Sequence, residues 1–320
     1  MKIVFMGTPD FALATLQKLV ASGHEVQAVV TQPDRPKGRG RELAPSPVKQ
    51  FAEQSGIDVL QPEKASHPEF VETLGRLRPD LIVVVAYGQI LKKSVLAIPR
   101  LFCLNLHSSL LPKYRGAAPI NWALIHGEKE TGVTTIKMDE GMDSGDILLA
   151  KKVSIEDADN AQSLHDKLAK EGALLVLDTI RKLEQGSLTP VPQDPGQVTL
   201  APKLKKEDGL IAWEKDAENL RNRVRGLEPW PGAYTFYQSR RLRLCEVETA
   251  PGEAGDHPGA VARITDHGIE VGTGNGRLII TRLQPEGKNR MSAKSFLAGH
   301  KIQKGSLFAS SPASCLSKTT

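Results

Sequence analysis

Asn105 and His107 stand two positions apart at the end of an alternating run, residues 102–107, that reads as a strand. Alternation sends both side chains to the same side. An amide can donate or accept a hydrogen bond without charge, and an imidazole can take up or pass on a proton near neutrality. A carboxylate that reached the imidazole would hold its tautomer and raise its basicity. The acidic, glycine-hinged loop Asp139-Glu140-Gly141-Met142-Asp143-Ser144-Gly145-Asp146-Ile147 follows a strand at residues 133–138 and offers such carboxylates. Each piece has a plainer alternative: Asn105 as a turn cap, His107 as a satisfied half-buried histidine, and the loop as a solvated turn. The loop lacks the spacing and terminal glutamate of a calcium-binding EF-hand.

Three further features carry weaker signals. Gly7-Thr8-Pro9-Asp10 opens the chain's first turn but lacks the three glycines with which a dinucleotide fold approaches a pyrophosphate. Residues 32–49 hold Arg35, Lys37, Arg39, Arg41 and Lys49 against Asp34 and Glu42, a net +3, together with four prolines. That composition predicts a long loop rather than a helix, and its positive charge suits an RNA end, the alternative being a merely solvated loop. Arg221 with Arg225, the cluster Arg240, Arg241 and Arg243, and Lys203, Lys205 and Lys206 form a second basic group downstream. Trp213, Trp230, Phe236 and Tyr237 are expected in a core rather than as stacking platforms.

The elements that must position these residues follow from periodicity. Residues 2–6, 26–31 and 81–86 are apolar runs separated by helical stripes, with Thr8 expected to cap the first helix and Ser66 a later one. Runs apolar on both faces mean a parallel sheet covered on both sides, a doubly wound α/β domain. Its ligand is expected beyond the carboxyl ends of the strands. A long helix spans about 161–185. The proline-rich stretch after it reads as a linker, and short strands with regular turns then suggest a small antiparallel, OB-like β-barrel. The expected divisions are 1–187, a linker at 188–206, a barrel at 207–308 and a disordered tail at 309–320. Over 320 residues, 42 Lys and Arg face 37 Asp and Glu, and 40% of residues are hydrophobic, an ordinary globular balance. No apolar run is long enough to span a membrane, the N-terminus lacks signal-peptide anatomy, and three cysteines show no metal spacing. A cytoplasmic location is therefore expected.

The run N-x-H-x-S-L-L-P-x-x-R-G-A-x-P-I at 105–120 and the later D-x-G-x-D-x-G-D-I at 139–147 resemble the folate-dependent formyltransferases. The opening G-T-P-D-F, residues 31–40 with 45–49, Val85-Ala86-Tyr87-Gly88 and Pro229-Trp230-Pro231-Gly232-Ala233 are similar to the branch that formylates methionyl initiator tRNA. The likeness runs to about residue 308, with one departure at Ser108, where that family usually has glycine. It implies formyl transfer from 10-formyltetrahydrofolate to the α-amino group of methionine on initiator tRNA, with no metal. By that resemblance Asn105, His107 and Asp143 are the catalytic residues, with Asp146 the lesser candidate. Ser109, Leu110, Leu111, Pro112, Val85, Ala86, Tyr87 and Gly88 would hold the folate. Arg39 leads the expected tRNA contacts, with Lys37, Arg41, Lys203, Lys205 and Lys206. A monomer is expected. The rival readings are a formyltransferase or hydrolase of a small amine, which would need neither the basic segment nor the barrel, and an RNA-binding protein on a lapsed enzyme scaffold.

Overall fold

The computed structural model describes residues 1–37, 42–309 and 311. In chain order the first elements are β1 (Lys2–Gly7), α1 (Asp10–Ala21), β2 (Glu25–Val30), β3 (Arg35–Lys37), β4 (Glu42–Ala44), α2 (Pro47–Gln54), β5 (Val59–Leu60), α3 (Pro68–Arg76), β6 (Leu81–Val85) and α4 (Lys93–Leu96). They are followed by β7 (Phe102–His107), β8 (Arg115–Gly116), α5 (Pro119–Ile125), β9 (Glu130–Lys137), β10 (Ile147–Ser154), α6 (Ala161–Glu184) and β11 (Leu200–Ala201). The remainder are α7 (Ala217–Gly226), β12 (Ala233–Tyr237), β13 (Arg240–Ala250), β14 (Val261–Ile264), β15 (Ile269–Gly272), β16 (Arg277–Pro285), β17 (Met291–Ser292) and α8 (Ala293–Gly299). Two compact units emerge. One comprises Met1–Pro119, Glu130–Ser154 and His165–Pro202; the other comprises Ile120–Lys129, Ile155–Leu164 and Lys203–Thr320.

The first unit is built on a seven-stranded sheet in the order β10-β9-β7-β6-β1-β2-β5. The pairs β5–β2, β2–β1, β1–β6 and β6–β7 are parallel, whereas β7–β9 and β9–β10 are antiparallel. This is the expected mostly parallel α/β sheet. All five residues of β6, Leu-Ile-Val-Val-Val, are buried, because helices cover both faces of a central parallel strand. Val4, Met6, Val30, Ile82, Val84 and Cys103 share one core cluster with the ring of Tyr87. Each such aliphatic side chain contributes roughly 1.5–3 kcal/mol over leaving it in water. The chain departs from β1 toward β2 on one side and lies beside β6 on the other. The turns after β1 and β6 therefore leave the sheet side by side, where ligands of open α/β folds bind.

Local chemistry overrules three expectations. Pro9, not Thr8, holds the cap position of α1. The Thr8 hydroxyl instead donates to the Tyr87 carbonyl at 3.1 Å and accepts from the Gln32 amide at 3.3 Å, joining the two adjacent turns. His67 rather than Ser66 precedes α3, whose first residue is Pro68. Residues 32–49 are not simply a loop. β3 and β4 pair antiparallel, and α2 begins at Pro47 with Ser46 as its cap, its hydroxyl accepting from the Lys49 amide at 3.0 Å. Proline is tolerated at the first helical position because that amide has no intrahelical partner. Lys49 pairs with Asp34 at 2.6 Å, so part of the segment's charge is neutralised internally. That ammonium holds the Asp34 carboxyl below the ordinary carboxylate range.

The second unit carries an antiparallel sheet in the order β12-β13-β16-β15-β14, with β17 added to β16. Its two edges meet one segment near the C-terminus. Phe236 of β12 exchanges hydrogen bonds with Ala309 at 3.0 and 2.9 Å, while Val261 donates to Ser306 at 2.8 Å and Phe308 to Gly259 at 2.7 Å. Residues 305–309 thereby bond both edge strands and close the sheet, removing the edges that would otherwise invite pairing. Ala309 belongs to this closure, and the rest of the expected tail, save Ser311, lies outside the described residues. Trp213 and Tyr237 are buried as expected, but Trp230 is 51% exposed.

Candidate active site

The site is built at the carboxyl ends of β6 and β7. Asn105 lies opposite Val84 in the parallel register and donates through Nδ2 to its carbonyl at 3.1 Å. The same amide's Oδ1 is buried and has no hydrogen-bond partner. His107 ends β7, is 7% exposed, and hydrogen-bonds through Nε2 to the Tyr114 carbonyl at 2.9 Å. A carbonyl oxygen only accepts, so Nε2 carries a hydrogen and Nδ1 is the variable nitrogen. Nδ1 lies 3.6 Å from Asp143 Oδ2. The sequence pattern therefore brings Asn105, His107 and Asp143 to one strand end, with Asp143 rather than Asp146 beside the imidazole.

Asp143 is held from two sides. Its Oδ2 accepts from the Gly116 amide at 2.8 Å. Its backbone has φ +52°, the left-handed region a non-glycine residue enters at a cost of about 1–3 kcal/mol. Asp139 organises the same loop, accepting from the Gly141 amide at 3.0 Å and the Ser144 hydroxyl at 2.8 Å. Gly145 admits no side chain, since a Cβ would overlap the carbonyl oxygen of Lys137. Six described non-glycine residues have positive φ; three of them, Ala86, Tyr114 and Asp143, lie on the loops of this site. Ser108 is not among them, so the one departure from the formyltransferase pattern fits an ordinary backbone.

The expected folate-binding residues divide into walls and surface. The side chains of Val85, Tyr87 and Ser109 are buried within the fold, and Leu111 is 7% exposed. The Ser109 hydroxyl donates to the Lys113 carbonyl at 2.6 Å, and the Ser109 carbonyl accepts from Thr134 at 2.7 Å. Thr134 in turn accepts from the Leu111 amide at 3.2 Å. Tyr87 sends its ring into the core, where burial raises its phenol to about 12. Ala86 and Gly88 are exposed, and Leu110 and Pro112 are partly so. Cys103, beneath the site on β7, is buried, which pushes its thiol up to about 12. Sequence reasoning gave no role to Tyr114, Gly116 or Thr134, which act through backbone groups or a small hydroxyl, although Gly116 stands in the run at 105–120.

The expected tRNA-contact residues are placed as follows. Lys37 ends β3, in register with Glu42, while Arg39 and Arg41 lie outside the described residues. In the second unit Lys203, Lys205 and Lys206 are exposed. The neighbouring arginines are largely committed. Arg221 bonds Glu218 at 2.9 Å, Arg225 is 8% exposed and bonds the Glu156 carbonyl at 3.1 Å, and Arg243 bonds Glu228 at 2.7 Å. Arg241 lies over the Tyr234 ring at 3.8 Å. Only Arg240 of that group is exposed. Among the described residues, no helix is long and apolar enough to cross a membrane. Within the same set, no group of three or more His, Cys, Asp or Glu could hold a metal ion.

Residues 1–180 match the family model described as formyl transferase, and residues 203–301 that of the formyl transferase C-terminal domain. A methionyl-tRNA formyltransferase of Citrifermentans bemidjiense is 52% identical over 98% of this chain and 98% of its own length. One from Caldanaerobacter subterraneus subsp. tengcongensis is 48% identical over 96% of this chain and 99% of its own. Among solved structures, HypX of Aquifex aeolicus in complex with tetrahydrofolic acid superposes with a TM-score of 0.62 at 20% identity. That match covers 96% of this chain, which spans about half of HypX, 50% of that chain. The sugar 3N-formyl transferase WlaRD superposes with a TM-score of 0.66 at 18% identity, covering 90% of this chain and 99% of its own. At such identities these two structures speak for the fold alone, whereas the full-length relatives near 50% identity decide the branch: the chain belongs to the formyl transferase family, among the methionyl-tRNA formyltransferases.

Proposed function

We propose that this protein transfers the formyl group of 10-formyltetrahydrofolate to the α-amino group of methionyl initiator tRNA in the cytoplasm. Residues 1–187 would do the chemistry, 188–206 link, and 207–308 bind tRNA. The observation that carries the reading is the juxtaposition of Asn105, His107 and Asp143 at the carboxyl ends of β6 and β7, in a chain of this family. The residues present fit the folate co-substrate: Asn105 offers a buried acceptor without a partner and a second amide hydrogen, and Ala86 and Gly88, on the turn after β6, are exposed. A flat heterocycle needs such apolar walls with a few fixed hydrogen bonds.

The bound co-substrate supplies an electrophilic formyl carbon. Asn105 is oriented by the Val84 carbonyl, so its free Nδ2 hydrogen can meet the formyl oxygen as negative charge develops there, a contact worth about 3–4 kcal/mol in the barrier. Its unpartnered Oδ1 can accept from the attacking amine and so aim the nitrogen lone pair. The new bond joins that nitrogen to the formyl carbon while the bond from carbon to folate nitrogen breaks. The amine's surplus proton passes to the His107–Asp143 pair. With Nε2 fixed on Tyr114, Nδ1 receives the proton, and the Asp143 carboxylate 3.6 Å away stabilises the imidazolium. The departing folate nitrogen regains a proton by the reverse path.

Arg39, Lys37 and Arg41 in the first unit, and Lys203, Lys205 and Lys206 in the second, are assigned to the phosphate backbone of tRNA. Removing the charge of any one should lessen the salt dependence of tRNA use and leave transfer to a minimal aminoacyl analogue unaffected. The test is formyl transfer from 10-formyltetrahydrofolate to charged initiator tRNA, elongator methionyl-tRNA and a panel of small amines. Transfer confined to initiator tRNA supports the proposal; transfer to a small amine alone overturns the substrate while keeping the chemistry.

A further inference from the structure

Gln193 lies in the proline-rich stretch after α6, a segment with no periodicity to mark it. Its side-chain amide uses its full hydrogen-bonding capacity. Nε2 donates to the carbonyls of Asp143 at 2.8 Å and Gly145 at 2.7 Å. Oε1 accepts from Arg115 Nε at 3.1 Å and Nη2 at 2.7 Å. The surrounding segment is stitched to the same two loops. Val191 exchanges both backbone hydrogen bonds with Ile147 at 2.8 Å, and β11 pairs in parallel with β8, Leu200 opposite Arg115 and Ala201 opposite Gly116. Thr199 accepts the Tyr114 amide at 2.8 Å through its hydroxyl and the Arg115 amide at 2.9 Å through its carbonyl.

These bonds converge on the two groups that set the His107–Asp143 distance. Tyr114 supplies the carbonyl that fixes His107, and Gly116 the amide that fixes the Asp143 carboxylate. Asp143 itself sits at a left-handed φ, a conformation that persists only when its surroundings over-determine it. Two loops distant in sequence are thus clamped by one amide. Gly116 has φ +123°, and a Cβ there would lie 2.7 Å from the Ala201 carbonyl, so the two strands approach as closely as backbones can.

We propose that Gln193 is a positioning residue for formyl transfer: it holds the Asp143 loop against the Arg115–Gly116 strand so that the carboxylate meets the His107 ring. The proposal rests on the reading of Asp143 as a proton-handling residue. Its chemistry separates two halves of the clamp. Gln193→Glu keeps an acceptor for Arg115 but turns a second oxygen toward the carbonyls of Asp143 and Gly145, while Gln193→Ala removes both halves.

The experiment measures single-turnover formyl transfer and steady-state kcat and KM for both variants, for Asp143→Ala, and for the Asp143→Ala/Gln193→Ala double variant, with thermal melting of each. Gln193→Ala and Gln193→Glu should both lower kcat, by about 10–100-fold, the effect of misplacing a catalytic group. KM for tRNA and folate should stay within about twofold, since ground-state binding is not the step affected. In the Asp143→Ala background, Gln193→Ala should cause no further loss. A Gln193→Glu enzyme with the native rate, or a Gln193→Ala loss that persists undiminished without Asp143, overturns the proposal by assigning the residue to Arg115 or to general packing. Native turnover in Asp143→Ala instead removes the proton-handling reading itself, and the proposal falls with it.

Discussion

A buried polar atom without a partner is costly, and Asn105 Oδ1 is one at the end of the sheet. The cost makes sense if the partner is the incoming amine. Asn105→Ala should therefore lower turnover about 100–1,000-fold, as loss of an oxyanion donor does. It should leave thermal stability unchanged or slightly raised, because the orphan acceptor goes with the donor. Asn105→Asp, which keeps the acceptor and loses the donor, should be as slow as the alanine variant; single-turnover transfer and melting curves check both. Alternation put Asn105 and His107 on one side of a strand end, and the resemblance to the formyltransferases gave them their roles. Spacing alone did not single out the carboxylate, because four acidic residues share the loop; the resemblance named Asp143, and the turn there is what faces it toward Nδ1.

At the scale of elements, the acidic loop is a shaped device rather than a solvated turn. Asp139 binds it from within, and Gly145 packs where the Lys137 carbonyl leaves no room for a side chain. Gly145→Ala must push that turn away from β9 and break the bond from Gln193 to its carbonyl. The expected outcome is a fall in kcat of at least about tenfold with little change in tRNA KM, read by steady-state kinetics. The basic segment shows the opposite error. Its prolines predicted a loop, yet two of them suit the structure formed there: Pro36 lies in β3 and Pro47 starts α2. Composition reports the frequency of helix breakers and not their positions, and at the first turn a proline breaks nothing.

At the scale of the whole molecule, the second unit gathers three carboxylates around one buried guanidinium. Arg277, 5% exposed, bonds Asp256 at 2.7 Å, Glu270 at 3.2 Å and Glu253 at 3.0 Å. The guanidinium holds the Asp256 carboxyl below its ordinary value, so the folded state binds that proton less readily than the unfolded chain. This contribution is present above the unfolded carboxylate range, about pH 4, and is lost as pH falls through the lower folded value. Arg277→Met should cost about 3–5 kcal/mol at neutral pH by leaving Asp256 without its partner and the buried Glu270 with Arg263 alone. It should also flatten the fall in stability below about pH 4, which denaturant titrations at several pH values would show. What the sequence by itself determined was the layered α/β unit, the antiparallel unit after it, and the strand end that carries Asn105 and His107. Hydrophobic periodicity and short motifs are local, and those features depend on neighbours a few residues apart. Only the tertiary structure decided that Tyr114 fixes the tautomer, that Gly116 and Gln193 set Asp143, and that residues 305–309 close the second sheet. Those contacts join positions from 7 to about 70 residues apart through backbone groups and one amide, which leave no periodic trace.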